Sequence, residues 1–352
     1  MIDAAREAFA GFVASIRGGQ AILPVLDRRD RLSSTVILHD FDADGVTAGV
    51  VLQRALERAG FTDVVRVIPT RERDAWAESN RALLAAQQPR ALFVLDLGSR
   101  DEPLADAPTC IIDHHRPDGT PPGALLISAY TWEPIPNTSI LVYDLCGAIA
   151  DVSNLDWIAA IGVLSDVGEK APFPLVDEVR KRHSMKDLKE ATALVNAARR
   201  ASEYRPEVAA RALLEHASAR ELVTSAGEDV AWLRQARAEV QRELAEAKKA
   251  APKFSGNVAL VRVRSRCQVH PVIAQIWRTR LPKYVVIVAN DGYLPGRVNF
   301  SMRTASAVNL LDFLRAIDLG EGEGSYARGH DQATGGSLPV ARWELLLAKL
   351  GF

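Results

Sequence analysis

Three short segments of the 352-residue sequence carry acids and imidazoles in patterns that suit metal-assisted chemistry. They are His39-Asp40-Phe41-Asp42-Ala43-Asp44-Gly45, Asp96-Leu97-Gly98 and Asp113-His114-His115. Carboxylates gathered in one place repel one another unless cations neutralise them, so a site built from these segments is expected to hold divalent metal. Mixed carboxylate and imidazole ligation favours manganese, with magnesium, cobalt or zinc as competitors. The widely spaced Cys110, Cys146 and Cys267 offer no thiol-rich zinc site and read as reduced and mostly buried. Two ions about 3.5–4 Å apart can share a carboxylate and a water whose lowered pKa supplies hydroxide near neutral pH, and in-line attack on phosphorus is the natural use. A nearby cationic or hydrogen-bonding side chain would then stabilise the developing charge.

Each segment also has a plainer reading. An Asp-x-Asp-x-Asp-Gly run opens an EF-hand loop, but that loop needs a Glu at its twelfth position, and the residue there, counted from Asp40, is Val51. A strand rather than a helix precedes it, so the EF-hand is excluded. A lone aspartate such as Asp96 usually caps a turn, and a His-His pair is often incidental. The weight lies in the conjunction: all three segments follow apolar runs.

Those runs define the elements that must position the chemistry. Residues 35–39, 64–68, 91–95, 109–112 and 124–127 read as strands, with a helix over 47–59, and such alternation implies a mainly parallel sheet covered on both faces. Sites in such folds form at the carboxyl ends of strands, where the three segments lie. Helical patterns follow over 138–150 and 155–167, the second holding a fourth acid, Asp166, which alone would read as a surface residue. Residues 228–251 contain no Gly or Pro and repeat apolar residues at helical spacing, predicting a long connector helix ended by Pro252. Strand patterns then return, with a helix from about Val272 between them. The expected fold is therefore α/β in two domains: a catalytic metal-binding domain over 1–185, a helical connector over 186–251 and a smaller substrate-binding α/β domain over 252–352.

Composition narrows the class. The chain is 48% hydrophobic and 25% charged, and it has no apolar run of the roughly 18 residues needed to span a bilayer, so no membrane partner is expected. The first residues lack the basic-then-apolar layout of a secretory signal, and cytoplasmic residence is the expectation. A net charge of −1 argues against coating long nucleic acid by bulk electrostatics. The charge is uneven, however: residues 251–352 hold 13 Lys and Arg against 7 Asp and Glu. The acidic remainder suits cations and the basic part suits phosphates, although Arg262, Arg264, Arg266, Arg278 and Arg280 equally fit a solvated face.

In order, Asp40-x-Asp42-x-Asp44-Gly45, Asp96-Leu97-Gly98, Asp113-His114-His115 and Ser165-Asp166 resemble the motifs of the DHH phosphoesterase superfamily, and the first looks like its RecJ-type branch. Other branches place a histidine at the position of Leu38, and His39 is one residue off. The resemblance continues through Gly296-Arg-Val-Asn-Phe-Ser-Met-Arg303 and Arg328-Gly329-His330, similar to the motifs of the DHH-associated C-terminal domain, with Arg328 replacing the first glycine of a usual Gly-Gly-His. It implies one metal held by Asp40 and Asp42, another by Asp44, His114 and Asp166, and Asp96 bridging them. It further implies that Asp113 orients an imidazole, that His115 contacts the scissile phosphate, and that Arg303 and His330 reach across an interdomain cleft to a terminal phosphate. Gly329, Ser301 and Asn299 join that substrate-binding set, and a homodimer is in keeping with the family.

The implied activity is a manganese-dependent exonuclease-like phosphodiesterase that removes nucleoside monophosphates from short single-stranded DNA or RNA. Its rivals are a phosphatase or phosphodiesterase for a cyclic dinucleotide or 3′-phosphoadenosine 5′-phosphate, and a non-catalytic replication scaffold. The scaffold is disfavoured because every expected ligand is present.

Overall fold

The computed structural model describes residues 1–18, 34–72, 74–319 and 327–352, with backbone alone over 327–330. The chain divides into two compact units, the first comprising residues 1–199 and 205–233 and the second residues 200–204 and 234–352.

The first unit opens with α1 (Ile2–Gly18), β1 (Ser34–His39), α2 (Ala43–Arg58), β2 (Val64–Val67), α3 (Glu78–Ala85), β3 (Pro89–Leu95), β4 (Thr109–Asp113) and β5 (Leu125–Ser128). Helices α4 (Thr138–Cys146), α5 (Asp156–Asp166), α6 (Pro174–Arg182), α7 (Met185–Arg200), α8 (Pro206–Glu215), α9 (Ala219–Thr224) and α10 (Glu228–Ala247) follow. The five strands pair in the order β2-β1-β3-β4-β5, every pair parallel. Their side chains alternate between two apolar layers, as period-two geometry requires. Ile37, Phe93, Leu95, Cys110 and Ile112 enter one core with α1, α2, α4 and α5, while Val36, Leu38, Leu92, Val94 and Ile111 pack with Ala75, Trp76 and Leu84 on the other face. Both faces are covered, which is why these strands are continuous apolar runs rather than alternating ones.

Much of the segment expected as a connector joins this first core. Leu188, Ala191 and Leu194 of α7, Val208 and Leu213 of α8, Leu222 of α9, and Val230 and Leu233 of α10 are all buried in it. The division between the units falls inside α10, after Leu233.

In the second unit, β6 (Lys253–Ser255), β7 (Val258–Val263), α11 (His270–Arg280), β8 (Val285–Asn290), β9 (Arg297–Arg303), α12 (Leu310–Arg315), β10 (Ala327–His330), β11 (Ala333–Pro339) and α13 (Val340–Lys349) complete the chain. The strand order is β10-β11-β9-β8-β7-β6, mixed in direction, with β7 and β8 the parallel pair. Val258, Leu260, Ile287, Phe300 and Met302 meet Leu310, Leu314, Trp343, Leu346 and Leu347 in its core. All three cysteines are free and buried. Among the described residues, no helix is long and apolar enough to cross a membrane.

Candidate metal centre

Because the sheet is parallel, the carboxyl ends of the neighbouring strands β1, β3 and β4 share one edge. Asp40 directly follows β1, Asp96 directly follows β3, and Asp113 ends β4 with His114 and His115 beyond it. The local backbone explains the spacing of the first segment. Asp42 caps α2, its Oδ1 accepting from the amides of Asp44 at 3.0 Å and Gly45 at 3.3 Å. The helix therefore begins at Ala43, four residues before the expected start, and Asp44 falls in its first turn, where the positive end of the helix dipole favours a carboxylate. Gly45 is required by close approach: a Cβ there would lie 2.6 Å from the Asp40 carbonyl oxygen. Asp96 adopts a left-handed backbone (φ 64°), a region asparagine and aspartate tolerate better than most residues.

Among the described residues, three groups of side chains have ligand-capable atoms within 4.8 Å of one another: Asp40, Asp42 and Asp96; Asp44, His114 and Asp166; and Asp96, His114 and His115. Asp166, exposed at the end of α5, is thus brought to the strand edge from 70 residues beyond Asp96 in a helix whose other members are mostly core. His114 Nε2 lies 3.4 Å from Asp96 Oδ1 and 3.8 Å from Asp44 Oδ2. Asp113 does not join the ligand groups. Its Oδ1 lies 2.8 Å from His115 Nδ1 and accepts from the His115 amide at 2.6 Å, while its Oδ2 accepts from the Gly98 amide at 2.6 Å. The carboxylate so held fixes the ring of His115, which is 3.7 Å from Asp96 Oδ1.

Electrostatics follow from crowding. Burial, then the charges of Asp96, Asp166 and Asp42, push the Asp44 carboxyl well above the usual carboxylate range, against the hydrogen bond from the Ser139 amide. Desolvation raises Asp166 as well; His114 opposes that shift, and Asp96 and Asp42 add to it. Burial alone would lower the His114 imidazole, but the hydrogen bond and charge of Asp96, with Asp166 and Asp113, hold it up at about 9. Burial similarly opposes protonation of His115, and the charge and hydrogen bond of Asp113 outweigh it. Asp113 is the reverse case: burial works against its ionised form, yet His115 and His114 keep its carboxyl far below the usual range. Raised carboxyl and imidazole pKa values are what crowded negative charge produces, and the donor set fits a divalent cation that would relieve it.

Neighbouring groups not singled out in the sequence complete the surroundings. Asn137 Nδ2 donates to Asp44 Oδ1 at 2.7 Å, and Thr138 Oγ1 donates to Asp96 Oδ1 at 2.9 Å. From α7, the buried Arg199 has its guanidinium 4.0 Å from Asp42 Oδ2 and donates to Asn196 Oδ1 at 3.2 Å, and Asn196 Nδ2 in turn donates to Ser165 Oγ at 2.8 Å. An Asn-Thr-Ser before an apolar helical run is a legible cap signal, but nothing local ties it to Asp44. His39 is not among the ligand groups. It is fully buried, its Nδ1 is 2.7 Å from the Asp40 carbonyl oxygen, and its ring fills the space that Gly49 leaves open. Burial, aided by Arg66, depresses its pKa to about 3, so the ring is neutral.

In the second unit Asn299, Ser301 and Arg303 share one face of β9, alternating with the core residues Phe300 and Met302. Asn299 and Ser301 are buried, and Arg303 is half-buried, with Nη1 donating to Ser301 Oγ at 2.9 Å and to the Thr334 carbonyl at 3.1 Å. Gly329 and His330 lie on β10, whose backbone pairs them with Thr334 and Ala333; the expected role of the His330 side chain falls outside the described residues. Arg262, Arg264, Arg266 and Arg280 are exposed, and Arg278 donates to Gln332 Oε1 at 3.1 Å.

Residues 34–165, which contain all of the strand-end acids, match the model of the DHH family, N-terminal domain. The matched segment makes up the strand-bearing part of the first unit. The fold of the chain is RecJ-like. RecJ from Thermus thermophilus in complex with Mn2+ superposes with a TM-score of 0.71 at 19% identity, covering 98% of this chain and 53% of that one. The chain thus spans about half the length of the Thermus RecJ chain. A structure of exonuclease RecJ bound to manganese matches with a TM-score of 0.59 at 19% identity, over 97% of this chain and 93% of that one. CDC45 from Entamoeba histolytica matches at 0.54 and 11% identity, over 91% and 96%. No curated protein sequence matches the chain.

Proposed function

We propose that this chain is a two-metal phosphodiesterase of the DHH superfamily that releases nucleoside monophosphates from short single-stranded oligonucleotides. The observation that carries the reading is the pair of ligand groups, Asp40 with Asp42 and Asp96, and Asp44 with His114 and Asp166, set side by side at one sheet edge. Asp96 belongs to the first and touches His114 of the second, which suits a shared carboxylate. Divalent ions bound there, manganese first by ligand type, would supply an activated water and neutralise the phosphate oxygens.

The chain's own residues do the rest. His115, with Asp113 holding its Nδ1 and favouring its protonated form, presents its ring 3.7 Å from Asp96, placed to hydrogen-bond a phosphate oxygen and to hold a proton at Nε2 for the leaving oxygen. The guanidinium of Arg199 stands beside Asp42 as a further positive group for developing charge. Arg303 and His330, with Gly329, Ser301 and Asn299, are the proposed grip on the nucleotide; a guanidinium suits a terminal phosphate better than an ammonium does. The Mn2+-bound RecJ structures of the same fold support both metal and substrate class.

Incubating 5′- and 3′-end-labelled oligonucleotides, from dinucleotide to 20-mer, with manganese should release mononucleotides, with faster turnover of the shorter members. Turnover of cyclic dinucleotides or 3′-phosphoadenosine 5′-phosphate with no cleavage of any linear oligonucleotide would replace this reading by the small-substrate one.

A further inference from the structure

The start of α4 approaches the acidic cluster in an unusual way. Asn137 occupies the cap position of that helix, yet its side chain makes no cap hydrogen bond. Asp44 of α2 takes that role instead. Its Oδ1 accepts from the Ser139 amide at 2.7 Å and from Asn137 Nδ2 at 2.7 Å, and its Oδ2 accepts from the Thr138 amide at 3.0 Å. The Thr138 hydroxyl turns to the other acid, donating to Asp96 Oδ1 at 2.9 Å. One three-residue segment thus holds a carboxylate from each of two different elements, and Asn137, Thr138 and Ser139 are all fully buried.

We infer that Asn137 and Thr138 are positioning residues, a clamp that fixes Asp44 and Asp96 in the geometry that receives the cations. The hydrogen bonds sort the oxygen atoms. Both lone pairs of Asp44 Oδ1 are engaged, whereas Oδ2 keeps one free and is the oxygen facing His114 Nε2 at 3.8 Å. Asp44 is therefore held as a one-oxygen ligand through Oδ2. Donors already in place also offset the repulsion between the two acids before any cation arrives. The clamp cannot retreat, because the Thr47 and Ser139 hydroxyls lie 2.8 Å apart and Gly162 of α5 abuts them so closely that a Cβ there would sit 2.4 Å from Ser139 Cβ. Removing hydrogen-bond partners of metal ligands commonly weakens metal affinity about 10- to 100-fold.

The inference rests on the metal-binding reading, and manganese titration followed by electron paramagnetic resonance separates the two. Thr138→Val should weaken manganese binding about tenfold, and Thr138→Ser, which retains the hydroxyl, should restore it to within about twofold. The Thr138→Val protein in chelator should melt close to wild type, which a merely structural role would not allow alongside weaker binding. Asn137→Ala should weaken binding in the same direction and serves if Thr138→Val does not fold. Wild-type affinity in Thr138→Val or in Asn137→Ala overturns the clamp; a wild-type chain that binds no manganese overturns the metal reading beneath it.

Discussion

Replacing Asp96 by asparagine should lower turnover at saturating manganese by at least about 10³-fold, because the charge stabilisation a bound metal provides is worth several kcal/mol and each 1.4 kcal/mol is a factor of ten. Asparagine is the informative choice. It tolerates the left-handed backbone at φ 64° and retains an oxygen to accept from the Thr138 hydroxyl, so charge is what changes. Asp96 is also among the charges that drive up the Asp44 carboxyl and support the His114 imidazolium. Its removal relieves the Asp44 repulsion and costs His114 a partner, two effects of opposite sign. Calorimetry in chelator should therefore find Asp96→Asn within a few degrees of wild type while turnover is lost. An active variant would remove Asp96 from the chemistry, and a variant that is inactive because it has unfolded would show instead that the acid is structural.

The second large effect is on stability against pH. Without metal, the folded-state pKa of His114 is about 9, above its ordinary value near 6.5, and that of Asp44 is raised as well. A raised folded pKa means the folded chain binds protons more tightly than the unfolded one. The resulting stability is complete below the unfolded value and is lost as pH rises through the folded value. For His114 the window is therefore pH 6.5 to 9, and the loss is on the order of 3 kcal/mol from its shift. Manganese bound in the proposed site would take the place of those protons, so at millimolar Mn2+ the loss across the window should shrink or vanish, and melting temperature should rise with metal concentration. Differential scanning calorimetry between pH 6.5 and 9, in chelator and in manganese, reads both. A flat profile in chelator would contradict the crowding described for the site.

The two effects draw on residues of differing legibility. Asp40, Asp42, Asp44, Asp96, His114 and His115 can be singled out because each follows an apolar strand, and parallel strands expose their carboxyl ends together. The strand order is not legible: β3 pairs with β1 and β4 across a helix and loops that no periodicity connects. The start of α2 lies four residues before the expected one because the acidic run that reads as a strand-end loop also begins the helix: Asp42 is its cap and Gly45 a point of close approach. Asp166 requires the family resemblance, since a single acid closing an apolar helix carries no signal of its own. Asn137 and Thr138 lie 93 and 42 positions from the acids they hold, and Arg199 comes from a segment that reads as connector. Contacts of that separation are decided by how helices pack on a sheet, which local spacing does not encode.

The most direct test of the account is hydrolysis of an end-labelled short oligonucleotide by the exhaustively chelated chain as manganese is returned stepwise. The account predicts no mononucleotide release in chelator and activity that rises to a plateau once two equivalents are bound per chain. Undiminished release in chelator, or a plateau at a single equivalent, would contradict it.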